Sequence, residues 1–204
     1  MKKIAIDIND TLRDNLAQFI VCYKKAIDPD CDIKVSDVKS FDLCDVFEFE
    51  NRADFNNFRY NDYAYELYAR AEPMDKMLPY RFSDWLQNTM RDFDEGDIPE
   101  IFLFSPFEIG LTIQATYAFL SKIGCRCREM LFPVDSHKVW DRCDIMITAN
   151  PKLLSNVPEG KVAIKIKTPY NEDVECKYTF DSLMDLFQDE NETISKLISF
   201  EYDK

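Results

Sequence analysis

The strongest signal for the fold is the segment IAIDINDTLRDN, residues 4–15. Its apolar run ends on Asp7, and a second acidic residue, Asp10, follows at once. We predict a short buried strand over Lys3–Ile8, and the helical spacing of apolar residues predicts a helix over 13–27. A buried strand that leads through polar residues into a helix is the first unit of an α/β fold.

Apolar strands and helices continue to alternate along the chain. Four further apolar runs predict buried strands over 98–106, 127–133, 143–151 and 161–167. Strands that alternate with helices favour a parallel sheet covered by helices on both faces. The predicted fold class is therefore α/β, with a Rossmann-like core.

Three later helices follow from the same spacing. One covers 77–93, and its predicted inward residues are Phe82, Trp85, Leu86 and Met90. The next follows the strand at 98–106 and ends before Gly124, and its predicted apolar face carries Ile109, Ile113, Tyr117 and Leu120. The third covers 180–188.

The carboxyl ends of parallel strands meet at one edge of a sheet, and this edge holds the working site of α/β proteins. Asp7, Ser105 and Thr148 each lie at such a strand end. Because this placement follows from the architecture, we expect the three side chains to lie close together.

Composition limits the possible function. The chain has 204 residues, of which 46% are hydrophobic and 14% aromatic, so it encodes a packed globular protein. Its net charge of −13 repels phosphate backbones and anionic lipids. We therefore expect no binding to a nucleic-acid backbone and none to a membrane.

Seven cysteines and the amino terminus bear on localisation. Only three apolar residues separate Met-Lys-Lys from Asp7, which is too few for a secretory leader. The odd number of cysteines then fits reduced, buried or half-buried thiols in a cytoplasmic or other intracellular protein. Cys125 and Cys127 form a CxC pair, and no second pair or histidine cluster completes a zinc site.

In its order of strands and helices and in its strand-end residues, the chain resembles the haloacid dehalogenase (HAD) superfamily, and within it the 5′(3′)-deoxyribonucleotidases. The family's first motif is an apolar strand followed by Asp-x-Asp-x-Thr-Leu, and this chain reads Asp7-Ile8-Asn9-Asp10-Thr11-Leu12. The resemblance implies that Asp7 is the nucleophile and a Mg²⁺ ligand. Asn9 stands where the family has its general acid and base, and an amide does not titrate near neutral pH.

The second motif is also altered, and the third motif is a single lysine. The nucleotidases read Thr-Ser-Pro after the second strand, where this chain has Phe104-Ser105-Pro106. In this alignment Phe104 replaces the phosphate-binding Thr, whereas a shift of one residue gives that role to Ser105. The resemblance implies that Lys138 is the phosphate-binding lysine, and an ordinary solvated surface lysine is the alternative.

The fourth motif is an apolar strand that ends in an acidic pair. The matching positions here are Thr148 and Ala149, with Asn150 and Pro151 after them. Mg²⁺ prefers anionic oxygens in a near-octahedral shell, so a hydroxyl and a methyl are poor substitutes. We therefore expect no cofactor, and Mg²⁺ bound through Asp7 only if the protein is an active enzyme.

The resemblance also implies the domain organisation. Residues 1–15 and 76–188 form the α/β core, and residues 16–75 form a helical cap inserted after the first strand. The cap segment is rich in aromatic residues, which predict a packed core or a protein interface more than a stack for a nucleobase. Residues 189–204 form an acidic tail that adds an edge strand or a docking segment.

Two functional hypotheses follow. The first is a catalytically impaired HAD-like protein reused for binding or assembly with protein partners, and a virus particle is one setting that fits it. The second is a Mg²⁺-dependent nucleotidase or small-molecule phosphatase that acts on a nucleoside monophosphate through Asp7. The alternative interpretation of Asp7 itself is structural, as a cap for the following helix. His137 is the only histidine and has no nucleophile partner in a recognisable motif.

Overall fold

The computed structural model describes residues 2–91, 99–189 and 191–199. Its six strands are β1 (Lys3–Asp7), β2 (Glu100–Phe104), β3 (Met130–Leu131), β4 (Ile145–Thr148), β5 (Val162–Ile166) and β6 (Tyr178–Phe180). They form one sheet in the order β3-β2-β1-β4-β5-β6, and every pair is parallel. Helices flank this sheet, so the predicted α/β class is confirmed.

Within the described ranges, eight α-helices connect and extend these strands. They are α1 (Asn15–Ala26), α2 (Arg52–Asn57), α3 (Ala64–Tyr68), α4 (Leu78–Arg91), α5 (Leu111–Lys122), α6 (Pro151–Leu154), α7 (Leu183–Phe187) and α8 (Thr193–Ser199). A π-helical turn, Phe58–Asp62, joins α2 to α3. Strand β6 has no counterpart among the predicted strands, because its three residues carry too short an apolar run to give a pattern.

The central strands form the main apolar core. Ile4, Ile6, Ile147 and Ile164 are fully buried, as the continuous apolar runs of a parallel sheet predict. Phe82 of α4 enters this core, and the Trp85 ring stacks on Phe187 with 4.3 Å between centroids. The predicted inward positions of Leu86 and Met90 concern side chains outside the described part of the chain.

A second apolar cluster forms within residues 16–75. It is built on Phe19, whose ring lies 5.0 Å from Phe47, 5.9 Å from Phe55 and 5.5 Å from Phe58. Tyr170, from the sequence that follows β5, joins the same cluster. Most aromatic residues of the cap segment thus pack with one another and with Tyr170, whereas Tyr65 is 56% exposed.

The predicted apolar face of helix α5 is right only in part. Leu120 is buried in the main core, whereas Tyr117 is 53% exposed and Ile109, before the helix, is 57% exposed. Thr112 and Thr116 are buried instead: the Thr112 hydroxyl bonds to the backbone of Ile109, and that of Thr116 meets buried charged groups described below. Gly124 follows the helix at φ +63°, as expected of a residue that ends a helix.

The predicted tail is helical where it is described. Thr193–Ser199 forms α8, and Ile194 and Ile198 are buried in the main core. The sequence of this region predicts an edge strand or a docking segment, but its apolar residues recur at a helical spacing of four. No helix within the described ranges is long and apolar enough to cross a membrane.

Candidate functional site

Three strand ends bring the predicted site residues together. Asp7 ends β1, Thr148 ends β4, and Ser105 follows β2 directly. In the sheet Asp7 pairs in register with Phe104, so Ser105 lies one residue beyond it. Asp7 is 2% exposed, and Ser105 and Thr148 are fully buried.

Both oxygens of the Asp7 carboxylate are engaged by neutral groups. The Thr148 hydroxyl donates to Asp7 Oδ2 at 2.7 Å, and the backbone N–H of Asn9 donates to Oδ1 at 3.3 Å. Burial raises the pKa of Asp7 from its ordinary 3.8 to about 7, and these two hydrogen bonds offset only part of that effect. Thr148, which replaces an acidic residue of the resembled motif, thus serves as a hydrogen-bond donor to Asp7.

Asn9 is fixed by side chains on both of its polar atoms. Arg13 Nη2 donates to Asn9 Oδ1 at 2.5 Å, and Asn9 Nδ2 donates to Ser105 Oγ at 2.9 Å. Ser105 Oγ in turn donates to Glu108. The amide is therefore held in one orientation, within a hydrogen-bonded chain that carries no titrating group at position 9.

Arg13 and Glu108 form a buried ion pair behind this site. Arg13 Nη2 lies 2.7 Å from Glu108 Oε1, and the two side chains are 0% and 1% exposed. Thr116 Oγ1 accepts from Arg13 at 2.6 Å and donates to Glu108 Oε2 at 2.6 Å. The backbone oxygen of Tyr68 accepts from Arg13 at 3.1 Å. The hydroxyl face of α5 is turned inward by these contacts.

Sequence reasoning missed Arg13 and Glu108. Arg13 lies within the quoted segment, but a single arginine in a polar stretch is usually solvated, and Glu108 is 95 residues away. Only the tertiary structure shows that these two charged side chains are buried next to each other.

The two candidates for the second motif have different environments. The Phe104 side chain is fully buried in an apolar cluster with Trp140 and Leu153. The Ser105 hydroxyl instead contacts Asn9 in the first motif. This contact favours the alignment in which Ser105 takes the Thr position, and that assignment stays a prediction.

Lys138 lies apart from these residues. It belongs to the 3₁₀ helix Ser136–Arg142, whose buried residues are Ser136, Val139 and Trp140. Because these three residues are buried, Lys138 and His137 lie on the exposed side of the helix. Lys138 does not line the cavity described below.

Asp10 makes a separate set of contacts beside Asp7. It adopts φ +53° and is 7% exposed. Tyr170 Oη donates to Asp10 Oδ2 at 2.7 Å, and the backbone N–H of Leu16 donates to Oδ1 at 2.9 Å. Burial raises the pKa of Asp10. Capping of α1 is performed by Asp10 and by Asp14, which accepts from Ala17 N at 3.1 Å.

A cavity of about 320 Å³ opens between the strand ends and the cap segment. Its lining combines three carboxylates, three cations and several aromatic rings. The ionisable lining residues are Asp7, Asp10, Asp42, Arg52, Arg59 and Lys152, and the rings are Phe41, Phe55, Tyr60, Phe107 and Tyr170. The cations come from positions that the motif comparison does not single out.

The site residues do not fit the Mg²⁺ ion that the resemblance implies under the enzyme hypothesis. Of the positions that are acidic in the family's first and fourth motifs, only that of Asp7 carries a carboxylate here, and Ala149 is a fully buried methyl. Asn150 caps α6 by accepting from Lys152 N at 3.0 Å. Among the described residues, no three carboxylate, histidine or cysteine side chains are grouped so that they could hold a metal.

The seven cysteines are free thiols, two of them buried and five partly buried, which confirms the prediction for them. Burial raises the pKa of Cys125 to about 11 and that of Cys143 to about 12. Such thiols are poor nucleophiles near neutral pH.

Comparison with known proteins supports the fold. No family model matches the sequence, and no curated protein matches it. A solved structure from Burkholderia xenovorans LB400, named as a haloacid dehalogenase-like hydrolase, is similar with a TM-score of 0.51 and 12% identity. The match covers 95% of this chain and 99% of that one. The chain therefore has a HAD-like fold, while its resemblance to nucleotidases stays a prediction.

The raised pKa of Asp7 predicts a pH-dependent cost of folding. Folded Asp7 keeps a proton that the unfolded chain loses, so this group lowers stability as the pH rises from 3.8 to about 7. We expect Asp7→Asn to raise the free energy of unfolding by about 2–4 kcal/mol at pH 8, and by nothing near pH 4. The amide keeps both contacts, because the Thr148 hydroxyl can also accept.

Urea denaturation at both pH values measures this difference. Asp32→Asn removes the same charge from an exposed side chain and is the control. An equal gain for Asp7→Asn at both pH values would contradict the assignment of burial as the cause.

The buried ion pair predicts strong coupling between Arg13 and Glu108. Arg13→Met leaves a buried carboxylate without its partner, and we expect a loss of about 3–5 kcal/mol. The double variant Arg13→Met/Glu108→Leu should lose less than the sum of the two single variants. Urea denaturation of the four proteins gives the coupling energy, and additivity within about 0.5 kcal/mol would refute it.

Proposed function

We propose that this chain is a catalytically impaired HAD-fold protein that acts by binding and does not perform metal-dependent phosphoryl transfer. The observation that carries the proposal is the state of the first motif. Asp7 is held by the Thr148 hydroxyl, and Asn9 is locked between Arg13 and Ser105. A titratable carboxyl group is thus replaced by an amide whose oxygen and nitrogen are both hydrogen-bonded to neighbouring side chains.

The electrostatics of the strand ends support the same proposal. A phosphoryl group at Asp7 would stand beside a second buried carboxylate, Asp10. The nearby guanidinium of Arg13 is neutralised by Glu108, and Lys138 lies outside the cavity. Among the described residues, no lysine or arginine nitrogen lies within 4.0 Å of Asp7, so a dianionic phosphate placed against this carboxylate meets like charge. The expected protein partners and the absence of a resident cofactor remain parts of this proposal.

A phosphatase assay tests the proposal directly. Purified protein is incubated with Mg²⁺ and a panel of deoxynucleoside monophosphates and other phosphate monoesters. We expect release of phosphate to stay far below about 1 s⁻¹, the low end of ordinary enzymes. Wild type and Asp7→Asn should give the same background, and turnover that disappears in Asp7→Asn would establish the alternative, a working phosphatase.

The variant Asn9→Asp is a second arm of this assay. It restores a titrating group at the general-acid position, but Thr148 and Ala149 still supply no carboxylate. We expect it to remain inactive. Activity in this single variant would show that the loss of the general acid, rather than the loss of metal ligands, explains the inactive wild type.

An exposed apolar surface supports assembly as a second form of this function. The apolar edge patch consists of Phe107, Ile109, Leu111, Tyr117, Phe132 and Val134, beside the short edge strand β3. Val134 is 82% exposed, and Ile109 and Leu111 are 57% and 56% exposed. The Tyr117 and Phe132 rings contact each other at 5.7 Å. Exposed apolar groups of this kind mark interaction surfaces.

We expect the apolar edge patch to join copies of this chain. Copies with a net charge of −13 repel one another, so added salt should strengthen the association. Light scattering at about 0.1 mM protein, in low salt and in about 0.5 M salt, measures the mass. Ile109→Ser/Leu111→Ser should be monomeric, while Val21→Ser, which changes an exposed apolar residue elsewhere, should behave as wild type. A monomeric wild type in both salts would exclude this form of assembly.

A further inference from the structure

The charges that line the cavity suggest what it binds. We propose that the cavity takes a small zwitterion with an aromatic body, whose ammonium faces Asp7 and Asp10 and whose carboxylate faces Arg59 and Lys152. The inference rests on the proposed function, since it assigns Asp7 to binding rather than to attack on phosphorus.

The inner end of the cavity is acidic and lacks a compensating cation. Asp7 and Asp10 both line it, and their hydrogen-bond partners are hydroxyl and backbone N–H groups. In the part of the chain that the structure describes, no lysine, arginine or histidine nitrogen lies within 4.0 Å of either carboxylate. Two buried carboxylates with neutral partners favour a cationic ligand group beside them.

Asn15 adds an independent sign of a missing donor. It lines the same cavity and is 6% exposed. Its Oδ1 has no hydrogen-bond partner within the described residues. A buried acceptor without a donor costs free energy, and an ammonium group carries three donors. An unpaired buried acceptor in the wall of the cavity is consistent with a ligand that brings a hydrogen-bond donor.

The cavity also carries the opposite charge, on Arg59 of the cap segment and on Lys152 of α6. Arg59, in the π-helical turn, donates from Nε to Tyr68 Oη at 2.7 Å. Neither Arg59 nor Lys152 has a carboxylate within 4.0 Å among the described residues, whereas Arg52 is paired with Asp42 at 2.6 Å. The guanidinium of Arg59 offers the planar donor geometry that suits a carboxylate.

The volume and the lining residues of the cavity limit the size and chemistry of the uncharged part of the ligand. Small-molecule sites occupy about 300–1,000 Å³, so a cavity of about 320 Å³ suits a compact molecule. Phe55, Tyr60 and Phe107 supply aromatic walls between the two charged ends. A phosphate monoester carries only negative charge and finds no partner at the acidic end.

Four probes that share a phenyl ring but differ in their charged groups test which charges the cavity recognises. They are L-phenylalanine, 2-phenylethylamine, 3-phenylpropanoate and phenyl phosphate, each titrated calorimetrically into the full chain. We expect L-phenylalanine to bind at least about tenfold more tightly than either singly charged analogue, the factor expected from one charge-assisted hydrogen bond. We expect phenyl phosphate to bind most weakly and to remain intact.

Two variants test the two ends separately. Asp7→Asn should weaken 2-phenylethylamine and L-phenylalanine by about tenfold and leave 3-phenylpropanoate unchanged. Arg59→Gln should weaken 3-phenylpropanoate and L-phenylalanine and leave 2-phenylethylamine unchanged. Asp32→Asn and Lys76→Gln change the same charges away from the cavity and should bind as wild type. Because each variant keeps one probe at wild-type affinity, a folding defect is recognised directly.

The outcomes distinguish the two proposals. Tighter binding of phenyl phosphate or 3-phenylpropanoate than of L-phenylalanine, without hydrolysis, overturns the zwitterion alone and leaves the proposed function standing. Absence of binding by all four probes at about 1 mM also overturns it. Hydrolysis of phenyl phosphate that depends on Asp7 overturns the proposed function and, with it, this inference.

Discussion

The buried guanidinium of Arg13 holds the candidate site in its present form. It bonds to Asn9 in the loop after β1, to Glu108 after β2, to Thr116 in α5 and to the backbone of Tyr68 in the cap segment. A charge in a fully buried position is tolerated only when it is paired and hydrogen-bonded. The loop, the helix and the cap segment are therefore fixed relative to one another by the partners that this one side chain requires.

The same contacts support the proposal that the site binds a ligand and does not transfer phosphoryl groups. Glu108 neutralises the buried charge of Arg13, and the side-chain oxygen of Asn9 accepts a hydrogen bond from the Arg13 guanidinium. Asp7 remains, but its carboxylate is buried against hydroxyl and N–H donors and has a pKa of about 7. The unneutralised positive charge of the cavity lies at Arg59 and Lys152 instead. Asn9, Thr148 and Ala149 stand where the resembled motifs carry acidic residues, so Asp7 and Asp10 are the carboxylates that remain at the inner end of the cavity.

Several features of the fold could be predicted because they depend on local patterns. The strands β1, β2, β4 and β5 are continuous apolar runs, and such runs in a parallel sheet are buried on both faces. The meeting of Asp7, Ser105 and Thr148 followed from strand ends at one edge of the sheet. The face of α5 could be predicted only in part: Leu120 is buried as expected, but Thr116 turns inward to bond Arg13 and Glu108, whose presence the helix itself does not encode.

The sequence by itself therefore determined the α/β architecture and which residues stand at the strand ends, because apolar periodicity and chain order are local properties. Only the tertiary structure decided that Arg13 pairs with Glu108, that Ser105 contacts Asn9, and that Lys138 lies outside the cavity. These outcomes depend on groups far apart in the chain, whose desolvation and hydrogen bonding are settled together when the molecule packs. A buried charge gives no signal in a sequence until its partner is known.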